Sequence, residues 1–171
     1  MFTLEPDKEY PKETESRVII RFQDCDPLQH LNNAKYFDYF FNAREDQVAK
    51  LYNFNAGQLF KDLQSGWVAY QSQIAYIRPA VFGEWVRIMS RVIYYNEDTV
   101  IVEYFMTDDA KMKLKTVFWC TLKYVSALSG KRINHHPLVN DFLAAIVLPH
   151  IDFEKLDFNL RIKEIKDSLI Q

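Results

Sequence analysis

Two carboxylates and a histidine fall within one short stretch, Arg21-Phe22-Gln23-Asp24-Cys25-Asp26-Pro27-Leu28-Gln29-His30-Leu31-Asn32-Asn33-Ala34-Lys35-Tyr36. The stretch follows a run with strand alternation and precedes one with helical spacing, so it reads as a loop feeding a helix N-terminus. There the first backbone N–H groups have no partner within the helix, and the positive end of the helix dipole points outward. Such a terminus can receive an oxyanion. A carboxylate held beside it can act as base toward water, or as nucleophile, on a carbonyl whose oxygen takes hydrogen bonds from those N–H groups.

The elements on either side must hold this loop. Val18, Ile20 and Phe22 alternate with Arg17, Ile19 and Arg21, which predicts a strand with one buried face. Phe37, Phe40, Phe41, Arg44, Val48 and Leu51 recur at spacings of three and four, which predicts a helix over 34–52 with an apolar stripe broken by Arg44. Asn32 or Asn33 is placed to cap it, and the 53–57 stretch to stop it. A shorter helix is expected over 56–64, closing at Ser65-Gly66. Four alternating runs follow, at 67–77, 84–95, 99–107 and 112–125, separated by short turn sequences that favour antiparallel neighbours. The expected architecture is therefore α+β, with the long helix buried against one face of a four-strand meander. Past Gly130 come a His135-His136-Pro137 turn, an apolar segment over 138–148 and an amphipathic tail over 153–170.

The chain has 171 residues and a mass of 20.3 kDa, enough for one domain with a sizeable core. Lys+Arg 21 against Asp+Glu 23 gives a net charge of −2, so no basic field exists to hold nucleic acid. Aromatics reach 15%, more than a small core needs, which points to a lined pocket or a subunit interface. Cys25 and Cys120 are the only cysteines and sit in no metal-ligand spacing, so neither a disulfide framework nor a structural zinc is expected. The first sixteen residues lack the apolar run of a signal peptide, and no stretch approaches a membrane span. A cytoplasmic protein with no membrane partner is the expectation.

The loop resembles the acyl-CoA thioesterases of the hotdog superfamily, in particular the 4-hydroxybenzoyl-CoA thioesterase type, in its Asp24-Cys25-Asp26-Pro27 turn into the helix. Its continuation, Asp26-x-x-x-His30-x-Asn32-Asn33-x-x-Tyr36, is similar to the His-Val-Asn-Asn stretch of acyl-ACP and long-chain acyl-CoA thioesterases, with Leu31 in place of Val. Weaker likeness runs to about Val125, through Trp67-Val68-Ala69 and Arg78-Pro79-Ala80-Val81-Phe82-Gly83-Glu84. The resemblance implies a hotdog fold, a long central helix wrapped by a curved antiparallel sheet. It places that domain over 16–133, after an exposed arm over 1–15 and before a partly helical C-terminal extension over 134–171.

The same resemblance implies hydrolysis of a fatty or aromatic acyl-CoA without cofactor or metal, in a homodimer or homotetramer whose units pair edge to edge with active sites between them. Asp26 would be the catalytic carboxylate, and the backbone N–H near Asn33 would polarise the thioester carbonyl. His30 and Asn32 would shape the loop or position water, and Asn32, Tyr36 and Phe37 would contact substrate, with Phe40, Phe41 and Tyr76 lining an acyl tunnel. Leu28 stands where the acyl-ACP branch has an Asn, and only Asp62 and Gln64 lie where many members carry a second acidic residue. Acyl-ACP hydrolysis, enoyl-CoA hydration or dehydration, and acyl-CoA binding without turnover are the alternatives.

Plainer readings compete at several positions. An Asp before Pro at a strand end commonly caps its own turn, and Asp24 is expected to organise the loop. Acidic neighbours should raise the Cys25 thiol and leave it a packing role. His135-His136, with Asp141 nearby, has a metal-site reading, but His-His-Pro is expected to be an exposed turn. Lys111, Lys113 and Lys115, and Arg87 and Arg91, are placed to meet CoA phosphates or to form a solvated rim.

Overall fold

The long helix forms where its spacing predicts, but it buries a neighbouring face: of the expected stripe Phe40 is buried, Phe37, Arg44 and Val48 are half-buried, and Phe41 and Leu51 are exposed. In the computed structural model, which describes residue 5 and residues 8–169, helix α1 runs Lys35–Tyr52, with Tyr36, Phe40, Ala43, Gln47 and Tyr52 facing inward. Asn53 ends it in the left-handed conformation at φ 52°, a conformation Asn tolerates. Before α1 come strand β1 (Glu13–Ile19) and a 3-10 turn, Phe22–Asp24. After it come α2 (Ala56–Leu63), β2 (Ser65–Tyr76), β3 (Trp85–Tyr95), β4 (Thr99–Asp108), β5 (Leu114–Ser126) and α3 (Pro137–Ile146). A 3-10 turn, Phe153–Lys155, and α4 (Phe158–Ser168) complete the chain. The parts of the expected arm and tail at 1–4, 6–7 and 170–171 lie outside the described residues.

The strands form one antiparallel sheet in the order β1-β3-β4-β5-β2. This corrects the four-strand meander. Only β3, β4 and β5 are consecutive neighbours, whereas β2 pairs with β5 and the 77–84 connection crosses the sheet. Turn chemistry there marks a break without saying which strand the chain rejoins. Three boundaries also move. The arm is shorter than 1–15, because Tyr10 is buried beside Tyr52 and β1 already starts at Glu13. Phe22 leaves the strand for the 3-10 turn and is 73% exposed against Phe82. The second helix closes at left-handed Gln64, and Ser65-Gly66 already belong to β2.

Helix and sheet are registered by a buried amide. Gln47 accepts hydrogen bonds from Thr14 Oγ1 at 2.7 Å and Ser90 Oγ at 2.6 Å, and donates to Ser16 Oγ at 3.0 Å and Ile88 O at 3.1 Å. All its polar capacity is used, so α1 is fixed against β1 and β3 without an orphaned group.

The opposite sheet face is covered too. Met89, Ile93, Ile101, Phe105 and Trp119 pack under Phe158 and Ile165 of α4, which is why β4 is buried along almost its whole length. His135 departs from the exposed turn expected of it. It is 5% exposed, and its Nε2 accepts the Trp67 indole N–H at 3.0 Å while Nδ1 meets Asn96 O at 3.0 Å. Burial lowers its pKa, and both ring nitrogens are engaged within the core, leaving none for a metal. His136 instead caps α3, accepting the Leu138 N–H. No helix among the described residues is long and apolar enough to cross a membrane.

Candidate active site

The loop between β1 and α1 is held by its own backbone. Pro27 suits the start of a tight turn; Gln29 sits at φ 62°, its N–H donates to Asp26 O at 2.9 Å, and the Asp26 N–H donates to His30 O at 2.7 Å. The Asp26 carboxylate completes the turn: Oδ1 accepts the N–H groups of Leu28 at 2.9 Å and His30 at 3.0 Å. The plain capping reading therefore holds for one oxygen. Oδ2 accepts no hydrogen bond from the described residues, and the side chain is only half-buried. One oxygen is fixed and the other open, an arrangement that orients a base.

The crossing connection straps the loop in place. Leu31 N–H donates to Ala80 O at 2.8 Å, Phe82 N–H to Gln29 O at 2.9 Å, and Asn32 N–H to Asp24 O at 3.0 Å. Asp24 organises the turn as expected, through a residue the spacing did not single out. The Tyr39 hydroxyl donates to Asp24 Oδ2 at 2.9 Å and accepts the Arg21 N–H at 2.9 Å. Burial, with the adjacent Asp24 charge, pushes that phenol up to about 12. Tyr39 lies on α1 within the motif's reach, yet nothing in its spacing says that its hydroxyl turns back to the loop. Tyr39→Phe is expected to remove both bonds, costing about 1–3 kcal/mol of stability. It should lower turnover without moving its pH dependence, as read by chemical denaturation and steady-state rates.

The start of α1 lies on the same loop. Its N-cap position is Ala34, with no side-chain cap. Asn32 supports the approach instead: Oδ1 accepts the Ala34 N–H at 3.0 Å and its carbonyl accepts the Lys35 N–H at 2.8 Å. Tyr76 donates to Asn33 O at 2.9 Å, and the exposed Asn33 N–H has no acceptor among the described residues. An unpartnered donor at a helix start suits a developing oxyanion.

His30 is half-buried, its backbone is engaged in the loop, and its ring makes no hydrogen bond among the described residues. Tyr36 is 2% exposed; its hydroxyl accepts the Ala80 N–H at 3.1 Å and burial raises its pKa. It is thus a buried wall under the crossing connection. Phe37 is half-buried, edge-on to Phe118. Burial first, then the charges of Asp24 and Asp26, raises the Cys25 thiol as expected.

Most of the cations expected at CoA phosphates are already paired. Arg87 meets Glu15 and Asp109, Arg91 meets Glu13 and Glu103, Lys111 meets Glu15 and Lys115 meets Glu84. Only Lys113 of that set has no ion-pair partner among the described residues. The residues expected to line an acyl tunnel do not share one cavity. A cavity of about 610 Å³ lies under the C-terminal half of α1 and beside α2 and α3. Phe41 lines it, whereas Phe37, Phe40 and Tyr76 do not. Phe40 is fully buried against Phe118 and Tyr104, and Tyr76 is committed to Asn33.

Comparison with known proteins agrees with this architecture. The family model described as the thioesterase-like superfamily matches residues 20–147. None of the curated proteins matches the chain by sequence. Among solved structures, the probable thioesterase YbaW from Escherichia coli is 21% identical, with a TM-score of 0.68 over 79% of this chain and 99% of that one. A DHNA-CoA thioesterase from Staphylococcus aureus is 16% identical, with a TM-score of 0.69 over 91% and 94%. A thioesterase from Thermus thermophilus, solved with coenzyme A and Zn, is 21% identical, with a TM-score of 0.65 over 81% and 96%. At these identities the likeness is one of fold.

Proposed function

The chain belongs to the thioesterase-like superfamily, and from that membership, which makes it a thioester hydrolase, we propose that its substrate is an acyl-CoA hydrolysed at Asp26. The observation that carries this reading is the division of the Asp26 carboxylate: Oδ1 is pinned by two backbone N–H groups while Oδ2 stays open, on the same loop as the unpartnered Asn33 N–H.

In the proposed reaction, Asp26 Oδ2 takes a proton from water, and the water oxygen bonds to the thioester carbonyl carbon. The carbonyl oxygen becomes an oxyanion facing the Asn33 N–H and the positive end of α1. Collapse breaks the carbon–sulfur bond, and the proton held on Asp26 passes to the departing CoA thiolate. Direct attack by the same oxygen, giving a mixed anhydride that water then opens, uses the same groups. His30, on the same loop, is proposed to orient the water. The test is a panel of aliphatic and aromatic acyl-CoAs, with free acid and CoA quantified separately. Equal amounts of both are expected from the preferred acyl class; no acid from any member would contradict the reading, and hydration of an enoyl-CoA without CoA release would replace it.

Two copies are proposed to pair along β2. It is an edge strand with Val68 47% and Tyr70 70% exposed, and an open edge of twelve residues is a template for another strand. The sedimenting species is then expected at twice 20.3 kDa or a multiple of it; a monomer would contradict the pairing.

A further inference from the structure

Among the side chains lining the 610 Å³ cavity, apart from aromatic ones that carry the Tyr104 hydroxyl and the Trp67 indole N–H, the latter given to His135, the wall is apolar but for Arg44, Glu45, Asn55 and Ser65. Asn55 is occupied in capping α2, and the Ser65 hydroxyl pairs with the Tyr124 hydroxyl at 2.7 Å. Glu45 is exposed at the helix surface. Arg44 differs from all three. It breaks the apolar stripe of α1, is half-buried, and has no carboxylate within ion-pair distance among the described residues. Its described contacts are neutral: Nη1 donates to Ser90 Oγ at 3.2 Å, and the guanidinium lies 5.7 Å from the centre of the Tyr52 ring.

A guanidinium carries five N–H donors, and removing its charge from water is costly without an anion. The Gln47 cluster beside it is already saturated, and among the described residues no carboxylate, Glu45 of the same wall included, lies within ion-pair distance of it. What the cavity lacks is an anion at one end of an otherwise apolar ligand. We infer that it binds an unbranched apolar chain ending in a carboxylate, with the chain against Val48, Leu59, Val102 and Phe142 and the carboxylate on Arg44. Glu45 repels a carboxylate left at the surface, which favours the inner position.

Two molecules share this chemistry. One is the acyl group of a thioester whose far end bears a second carboxylate; Arg44 lies about 14 Å along α1 from its first residue, Lys35, at a rise of about 1.5 Å per residue. The other is a free fatty acid. The first assignment rests on the thioesterase reading, and the second does not.

Calorimetric titration of the intact protein with submicellar dodecanoate and dodecan-1-ol separates charge recognition from tail burial. Native protein and Asp26→Asn are expected to bind the acid at least about tenfold more tightly than the alcohol, and Arg44→Met to bind the two alike. Equal binding of acid and alcohol by native protein, or a preference that survives in Arg44→Met, overturns the inference. If Arg44→Met does not fold, Arg44→Lys, which keeps the charge but loses the fork, is expected to reduce the preference. Ala49→Trp, at an exposed helix position lining the cavity, is expected to weaken acid and alcohol equally, and unchanged binding contradicts the location. Turnover of dodecanoyl-CoA against the mono-CoA thioester of dodecanedioic acid assigns the source. Preference for the diacid thioester supports the acyl tail, and no such preference with acid binding intact supports the free acid. If neither thioester turns over while the acid still outbinds the alcohol, the acyl-tail assignment fails and the Arg44 site stands as one for the free acid; the hydrolase reading is decided separately by the acyl-CoA panel.

Discussion

Glu103→Ala is expected to destabilise the protein by about 3–5 kcal/mol, the scale of a buried ion pair broken from one side. Glu103 on β4 is 0% exposed. It accepts Arg91 Nε at 2.7 Å, Arg161 Nε at 3.0 Å and Nη2 at 3.1 Å, and the Trp119 indole N–H at 2.8 Å. The alanine would leave the Trp119 indole N–H without its acceptor and two largely buried guanidinium groups with only the exposed carboxylates of Glu13 and Glu164. Arg161 belongs to α4, so the same change loosens the helix that covers Met89, Ile93, Ile101 and Phe105, and exposed sheet of that kind self-associates.

The pH dependence has a definite sign. Burial alone would raise the Glu103 carboxyl, but the Arg161 hydrogen bond, the two guanidinium charges and the Trp119 N–H together hold it below its ordinary value. Its contribution is therefore fully present above the unfolded-state value near 4.5, and is lost as pH falls through the lower folded value. Urea denaturation of native protein and Glu103→Ala should show a gap at neutral pH that narrows under acid. A gap below about 1 kcal/mol at neutral pH would mean that the network contributes little to stability.

Helical spacing located α1 to within one residue at its start, because a stripe recurring over five turns admits few other conformations. Alternation likewise found β3, β4 and β5, whose hairpin turns are local. Pairing across the sheet was not legible. The 77–84 connection carries Pro79 and Gly83, which announce a turn, but the partner of β2 is chosen by where α1 and β5 bury their apolar faces. The second covered face of the sheet was hidden for a related reason: the tail was visibly amphipathic, yet nothing local in Phe158 or Ile165 identifies the surface they meet.

The active-site loop divides in the same way. Asp24, Asp26, His30 and the Asn pair are contiguous, so the sequence shows them together. Tyr39 reaches Asp24 only because one turn of α1 returns its hydroxyl to the loop. Arg44 was visible as a break in the stripe, but its lack of a carboxylate partner appears only when β3 is packed beside it. Arg87 and Arg91 show the converse, since their alternation suggested a free basic rim and the register of β1 places Glu13 and Glu15 against them.

The reaction at Asp26 is isolated by a substitution that preserves its turn. In Asp26→Asn the side-chain carbonyl can still accept the Leu28 and His30 N–H groups, so the loop and the start of α1 are expected to keep their shape. The amide that replaces Oδ2 can neither take a proton from water nor attack a carbonyl carbon. Loss of a positioned acid–base group costs about 100-fold to 10,000-fold in rate, whereas loss of a loop bond alone would act mainly through stability. The direct measurement is acid release from the preferred acyl-CoA by native protein and by Asp26→Asn, with matched unfolding curves and with Cys25 and Cys120 accounted for wherever thiol is the readout. A fall of at least about 100-fold at unchanged stability is expected; equal turnover by the two proteins would contradict catalysis at Asp26.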